Sequence, residues 1–408
     1  VSTTQGLSSL SSSLNDDVFD GLLAKARALR PRLLAEQDAT ERRGTFSLDM
    51  HQTLGSEGFY KVQQPRRYGG YELDVPSFLA LVSELARGCP GSAWCYCLSA
   101  GHHVQMASLF PADVQDQIYG SVGDFLAPCR PVPMGTATWV EGGWRVNGVW
   151  DYCSGSPYST HTLVTVRIEG GPHADPLGLV VVPRAQWSML DNWAGTVIGM
   201  AGSGSNSIVI DDAVIPADHL VPGHPMQTAA GAGVPGYQLH GNPMYCGQSA
   251  GYAQLEIAAI LAGTARAATD EYERLLREKK TAGPNRLPRY TAAEHQRSFA
   301  FATTLADAAH DVVQAAAVRF TGYCVEAVNR PEGFSRAGAG RTAMAANQAV
   351  DLAWQAVDVC FKMSGSSEGA RNGARMQRYY RDFAMARTNV VPKLDMEAQN
   401  FAAAYFAG

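Results

Sequence analysis

The sequence predicts a mostly α-helical protein with one β-rich domain set into its middle, in the order helical domain, β domain, helical bundle. Two changes of texture carry this reading. Near residue 129 helical apolar periodicity gives way to short alternating runs rich in Val, Ile, Thr, Gly and Pro; near residue 236 helical periodicity returns, now rich in Ala. The third observation is size. A chain of 408 residues, 46% hydrophobic and 17% charged, can bury a large core across several layers.

The first 16 residues are polar and rich in Ser, with neither the basic start nor the apolar stretch of a signal peptide, and are expected to form a flexible tail. Residues 17–128 read as helical. DDVFDGLLAKARALRPRLLAEQDATERR starts acidic and repeats apolar residues at three- and four-residue spacing. QPRRYGGYELD is a turn-rich connector, and VPSFLALVSELARGCPGSAWCYCLSAGHHVQMASLF supplies two core helices separated at Gly88, Pro90 and Gly91. Residues 129–235 carry the strand-like runs WRVNGVW, HTLVTVRI, LGLVVVP and SIVIDDAVIP, which suggest a β-barrel or sandwich. Residues 236–408 hold four long helical stretches broken at KTAGPNRLP, NRPEGFSRAGAG and SGSSEGARNG, the pattern of a four-helix bundle.

Composition narrows the function classes. A formal net charge of -5 without a basic block argues against nucleic acid or an anionic membrane as partner. No apolar run is long enough to span a bilayer, and a cytoplasmic location is the expectation. Eight cysteines without a CxxC pair or zinc-ligand spacing read as buried thiols. The run Ala337-Gly338-Ala339-Gly340-Arg341 follows a loop, not a strand, so it is no dinucleotide fingerprint.

One stretch calls for a chemical explanation. In EGGWRVNGVWDYCSG (141–155) a strand carrying Trp150 and Tyr152 ends in a small, hydroxyl-bearing corner, Cys153-Ser154-Gly155. Together with PGSAWCYCLSAGHHVQMASLFP (90–111), GMAGSGSNSIVIDDAVIPADHLV (199–221) and MQRYYRDFAMA (376–386), in this order, it resembles the acyl-CoA dehydrogenase fold. The closest likeness is to the oxygenase components of two-component flavin-dependent monooxygenases, in their aromatic-hydroxylating branch.

The resemblance implies a flavin site. Trp150, Tyr152, Ser154 and Gly155 would lie along the flavin ring, with the Ser154 hydroxyl at its N5 edge, able to donate or accept as the redox state changes. Ser203 and Ser205, in a glycine-rich turn, would meet the phosphate or ribityl chain, and Arg266 would lie near the reduced flavin. His102 would face the substrate as the group that accepts its hydroxyl proton. His103, Tyr96 and Cys129 complete the expected substrate contacts, and the loop 131–137 would line the approach.

The fold hosts two chemistries, and the site must decide between them. A dehydrogenase needs a carboxylate base. Counted from Arg381-Asp382, its position is Val390, which cannot take a proton. Glu256 is near the alternative position but one residue displaced, which on a helix turns the side chain by about 100°, so it is expected to be a surface or helix-stabilising charge. The resemblance therefore implies an oxygenase that uses reduced FMN or FAD and O₂, through a C4a-hydroperoxyflavin, to oxygenate an aromatic or heteroaromatic molecule. A separate NAD(P)H-dependent flavin reductase would deliver the flavin, and the protein would be a homotetramer. Where hydroxylating relatives carry histidines after the Arg-Asp pair, this chain has Ala384 and Asn389; Asn389 is expected to hydrogen-bond the oxygen donor or substrate. An acyl-CoA dehydrogenase with a displaced base, an amine N-oxygenase and a catalytically silent protein of this fold are the alternatives.

Overall fold

The computed structural model describes residues 3–121, 123–227, 230–247, 249–282, 284–330, 332–389 and 394–406. The chain opens with α1 (Thr3–Arg43), so the segment expected as a tail is helical from Thr3 onward. Leu7, Leu10 and Leu14 follow a three-and-four spacing that the Ser-rich composition conceals. Next come α2 (Leu48–Ser56), capped by Ser47, and α3 (Val75–Gly88), whose Asp74 cap accepts from the Ser77 backbone N–H. The following apolar stretch is two helices, α4 (Pro90–Ala100) and α5 (His103–Leu109), divided at Gly101-His102. α6 (Ala112–Ser121) completes the N-terminal layer.

The β domain is one mixed, seven-stranded sheet rather than two packed sheets. Its strands are β1 (Cys129–Val140), β2 (Gly143–Trp150), β3 (His161–Glu169), β4 (Leu177–Pro183), β5 (Ser188–Met189), β6 (Ile208–Pro216) and β7 (Leu220–Pro222). They lie in the order β5-β6-β2-β1-β3-β4-β7, antiparallel except for the β1–β3 pair. The segment 131–137, expected as a loop, belongs to β1, which shifts register between Arg130 and Gly135. Alternation divides the sheet's two faces. Val164, Val166, Val180 and Val182 join Trp144 and Trp150 on one side, while Leu163, Leu179 and Val181 pack on α5 and α6 through Met106, Phe110 and Val114.

After α7 (Pro235–His240) the chain forms three long helices, α8 (Ser249–Glu278), α9 (Ala293–Val328) and α10 (Arg336–Ser364). The last part of the bundle is divided among short helices: α11 (Ser366–Gly369), α12 (Arg375–Ala386) and α13 (Leu394–Phe406). Buried alanines such as Ala258, Ala262, Ala309 and Ala353 let the helix backbones approach closely. Gly263 carries the same logic to the N-terminal layer, since a side chain there would strike the Ser83 carbonyl of α3. α8 thus packs on the bundle and on α3 and α4 at once. This brings its N-terminal half to the place where all three layers meet.

Candidate active site

The end of β2 is shaped by two backbone features. Tyr152 adopts φ 62° and Gly155 φ 85°, turning the chain sharply after Trp150. The turn is stitched to the 203–206 loop by Cys153 N–H to Asn206 O, Gly155 N–H to Ser203 O and Ser156 N–H to Gly204 O. A Cβ on Gly155 would lie 2.7 Å from Ser99 Cβ and 2.8 Å from the Cys95 carbonyl, so glycine here lets the β domain dock on α4.

Docking places Trp94 against the corner. Its indole N–H can only donate, and it reaches Ser154 Oγ at 3.0 Å. Ser154 Oγ in turn meets Ser205 Oγ at 2.7 Å, which meets Ser203 Oγ at 2.6 Å. Three hydroxyls and one indole form a continuous line from α4 to the loop before β6. The loop itself is held from the bundle. The Met200 N–H donates to Asp382 Oδ1 at 2.6 Å, and Arg381 donates to the Ile198 carbonyl and to Glu41.

Beside this line lies a cavity of about 390 Å³, within the range of roughly 300–1,000 Å³ typical of small-molecule sites. Apolar walls come from Trp94, Leu98, Ile257 and Met385. Tyr152 and Trp193 meet edge to face across 5.9 Å, with the Arg130 guanidinium 5.6 Å from the Tyr152 ring. Of the residues singled out from sequence, His102, Cys129, Tyr152, Ser154, Ser205 and Asn389 line it.

His102 stands between α4 and α5, with Nδ1 2.8 Å from the Ala127 carbonyl. A carbonyl only accepts, so the proton sits on Nδ1 and Nε2 is the acceptor. Burial pushes the imidazole down to about 4, which keeps it neutral at physiological pH. Burial pushes the Cys129 thiol up to about 12.

The other expected residues lie elsewhere. His103 is a satisfied core histidine, with Nε2 at the Tyr60 carbonyl (3.1 Å) and Nδ1 at the Tyr119 hydroxyl (3.2 Å). The helix break at Gly101 separates its direction from that of His102. Tyr96 is fully buried and donates to the Phe59 carbonyl. Trp150 fills the sheet's own core, in a slot left by Gly135 and Gly148, and donates to the Thr165 carbonyl. Gly155 and Ser203 support the corner from behind, and Arg266, on α8, pairs with Asp307 at 3.6 Å. Val390 lies outside the described residues.

Glu256 is the main correction. It is fully buried and lines the cavity, on the same face of α8 as Ala253 and Ile257. Burial holds its carboxyl well above the usual range, and Oε2 has no hydrogen-bond partner. Its position follows from the three-way packing of α8, which residue counting along an isolated helix does not capture. Trp94, Gln105, Arg130 and Trp193 were also missed. For Trp94 a signal existed, its four-residue spacing to Leu98 on the helix that leads to His102.

The lining has the groups that a flavin would need. Gln105 Oε1 and Arg130 Nε are buried without protein partners, although both residues line the cavity. An acceptor, a cationic donor, switchable hydroxyls and flat aromatic walls suit a heteroaromatic ring system that carries carbonyls and ring nitrogens.

Comparison with known proteins bears on the family and the fold. Residues 23–119 match the description "Acyl-CoA dehydrogenase, N-terminal domain" and residues 255–391 "Acyl-CoA dehydrogenase, C-terminal domain". The chain is 26% identical to the pigment production hydroxylase of Rhodococcus sp. (strain ATCC 21145), over 93% of this chain and 94% of that protein. It is also 26% identical to the flavin-dependent monooxygenase oxygenase subunit HsaA of Rhodococcus jostii (strain RHA1), covering 89% and 92%. The structure of XiaF from Streptomyces sp. superposes with a TM-score of 0.84 at 20% identity, covering 99% and 98% of the two chains. The chain belongs to the acyl-CoA dehydrogenase family, within its flavin-dependent monooxygenases.

Proposed function

We propose that this protein is the oxygenase component of a two-component monooxygenase that transfers one oxygen atom from O₂ to an aromatic or heteroaromatic small molecule. A separate NAD(P)H-dependent reductase supplies the reduced flavin, as the two-component organisation of such oxygenase subunits requires. The observation that carries the reading is the ionisation state of the cavity. Its one carboxyl among the described residues, Glu256, is pushed by burial toward the neutral form, and burial lowers the His102 imidazole to about 4, so both groups disfavour a charged base beside the ligand.

Reduced flavin, when bound, supplies the activation of O₂. Ser154, Ser205, Gln105 and Arg130 would hold it, and the apolar walls would exclude water from the reacting edge. His102 Nε2 accepts the proton of a substrate hydroxyl. Asn389, beyond the end of α12, offers an amide to the oxygen donor or substrate. The eight free cysteines fit a reducing compartment, which with the nicotinamide-dependent partner supports a cytoplasmic setting. We read the assembly as a homotetramer, in keeping with the family.

The location of Glu256 is the one observation favouring a second reading, an acyl-CoA dehydrogenase with its base on α8. A base must be ionised, and burial without a cation opposes that. The deciding experiment mixes protein, chemically reduced FMN or FAD, ¹⁸O₂ and a panel of phenols and indoles, and reads products by mass spectrometry. Products carrying one ¹⁸O atom are expected. Turnover of acyl-CoA thioesters with an artificial electron acceptor, without reductant, would replace the oxygenase reading with the dehydrogenase one.

A further inference from the structure

Glu256 occupies a tight, fully buried niche beside α4. Oε1 stands where a side chain on Gly101 would be, so only glycine at that position admits it. The niche adjoins Gly101 at the C-terminal end of α4, the negative end of that helix's dipole, which favours a protonated acid. Around it the Cys97 thiol of α4 lies 3.8 Å from Oε1. Tyr252, one turn earlier on α8, turns its hydroxyl to Gln63 Oε1 (2.6 Å) and the Gly101 carbonyl (3.2 Å). His102, the Cys129 thiol and the Arg130 guanidinium line the same cavity, while burial, Cys97 and Tyr252 are what bear on the Glu256 carboxyl itself. The second oxygen, Oε2, is buried and unpartnered in a residue that lines the cavity. A buried polar atom left unpaired costs about 1–3 kcal/mol, so it is usually matched by something that binds.

We propose that Glu256 is the substrate-recognition acid of this cavity: it stands as a neutral carboxylic acid and donates its proton in a hydrogen bond to a lone-pair acceptor on an uncharged aromatic ligand. The proposal rests on the oxygenase reading for the class of ligand. It gives the cavity a donor to complement the acceptor Nε2 of His102, which lines the same space, so that a substrate bearing both a hydroxyl and a second, accepting heteroatom is held at two points.

Infrared difference spectroscopy at pH 7 on the wild type and Glu256→Gln tests the protonation directly. A carbonyl stretch of a protonated carboxylic acid is expected in the wild type and absent from E256Q. Titration with quinoline and naphthalene, which differ by one ring nitrogen, tests recognition without flavin or turnover. Quinoline is expected to bind about 5- to 10-fold more tightly than naphthalene and to shift the carboxyl band. The preference falls to near unity in Glu256→Leu and is partly kept in E256Q, whose amide still donates. Absence of the acid band, absence of quinoline binding, or an unchanged preference in E256L overturns the proposal. Failure of the oxygenase reading shows separately, as missing ¹⁸O products in a protein that still passes these binding tests.

Discussion

The Trp94 indole N–H donates to Ser154 Oγ across 3.0 Å, tying a helix of the N-terminal layer to the strand end of the central sheet. Replacing Ser154 by Ala leaves that N–H without its acceptor and breaks the line to Ser205. The expected cost is about 1–2 kcal/mol of stability, with weaker binding of reduced flavin. Denaturant titration and flavin affinity measure the two effects. A double-mutant cycle of S154A with Ser205→Ala should show non-additivity, because the hydroxyls share one network.

His102→Ala is expected to keep the fold at a cost of about 1–2 kcal/mol, because the Ala127 carbonyl loses its donor, and to lower the rate of oxygen transfer to phenolic substrates by about 10²- to 10⁴-fold. His103→Ala should act instead on stability, since both its ring nitrogens have internal partners. Single-turnover product yields beside thermal melts separate the two histidines. Equal loss of turnover at matched stability would contradict the assignment of roles.

Acid should destabilise the protein through buried histidines. Burial pushes His102 and His161 down to about 4 and His103 to about 3. The unfolded chain, with histidines near 6.5, therefore binds more protons between those values. The stability these neutral rings contribute is full above about pH 6.5 and is lost as pH falls toward 4. Denaturant midpoints measured from pH 7 to 4 should decline, and less steeply in H103A.

Asp382 works in the opposite sense. Burial raises its carboxyl to about 6, so the folded state takes up a proton more readily than the unfolded chain, and this group alone favours folding as pH falls from 7 to 4. Its Oδ1 accepts from the Met200 N–H, which anchors the serine-bearing loop to α12. Asp382→Ala should cost about 2–4 kcal/mol and weaken flavin binding, whereas Asp382→Asn, which keeps an acceptor, should recover most of both. Denaturation curves with and without flavin check this.

Gly155→Ala forces a Cβ onto a residue at φ 85° and into Ser99 and the Cys95 carbonyl. A loss of about 2–4 kcal/mol is expected, read as a lowered melting temperature. Gly142→Ala, with positive φ but open space around it, should cost less.

Much of this protein is legible along its sequence. Helical and alternating periodicity are local properties, so the change at Cys129 and the Ala-rich helices after residue 236 can be read without coordinates. The corner Tyr152-Cys153-Ser154-Gly155 announces itself by its glycine and its hydroxyl. The helical continuation of α1 through the Ser-rich start, and the division of α4 from α5 at Gly101, are weaker signals, because composition and an unbroken apolar run hide them. Direction in space is another matter. His102 and His103 are neighbours in sequence, yet one faces the cavity and the other the core, because the helix break between α4 and α5 sets their orientations. Trp150 and Tyr152, two residues apart, go to the sheet's core and the cavity wall, because the turn at positive φ separates them. Glu256 looked like a displaced or surface charge because counting along one helix cannot report which helices pack on it. Periodicity determines what a segment becomes. Which side chains share one dry space, and therefore which carboxyl stays protonated there, is decided only where three layers of the fold exclude water together.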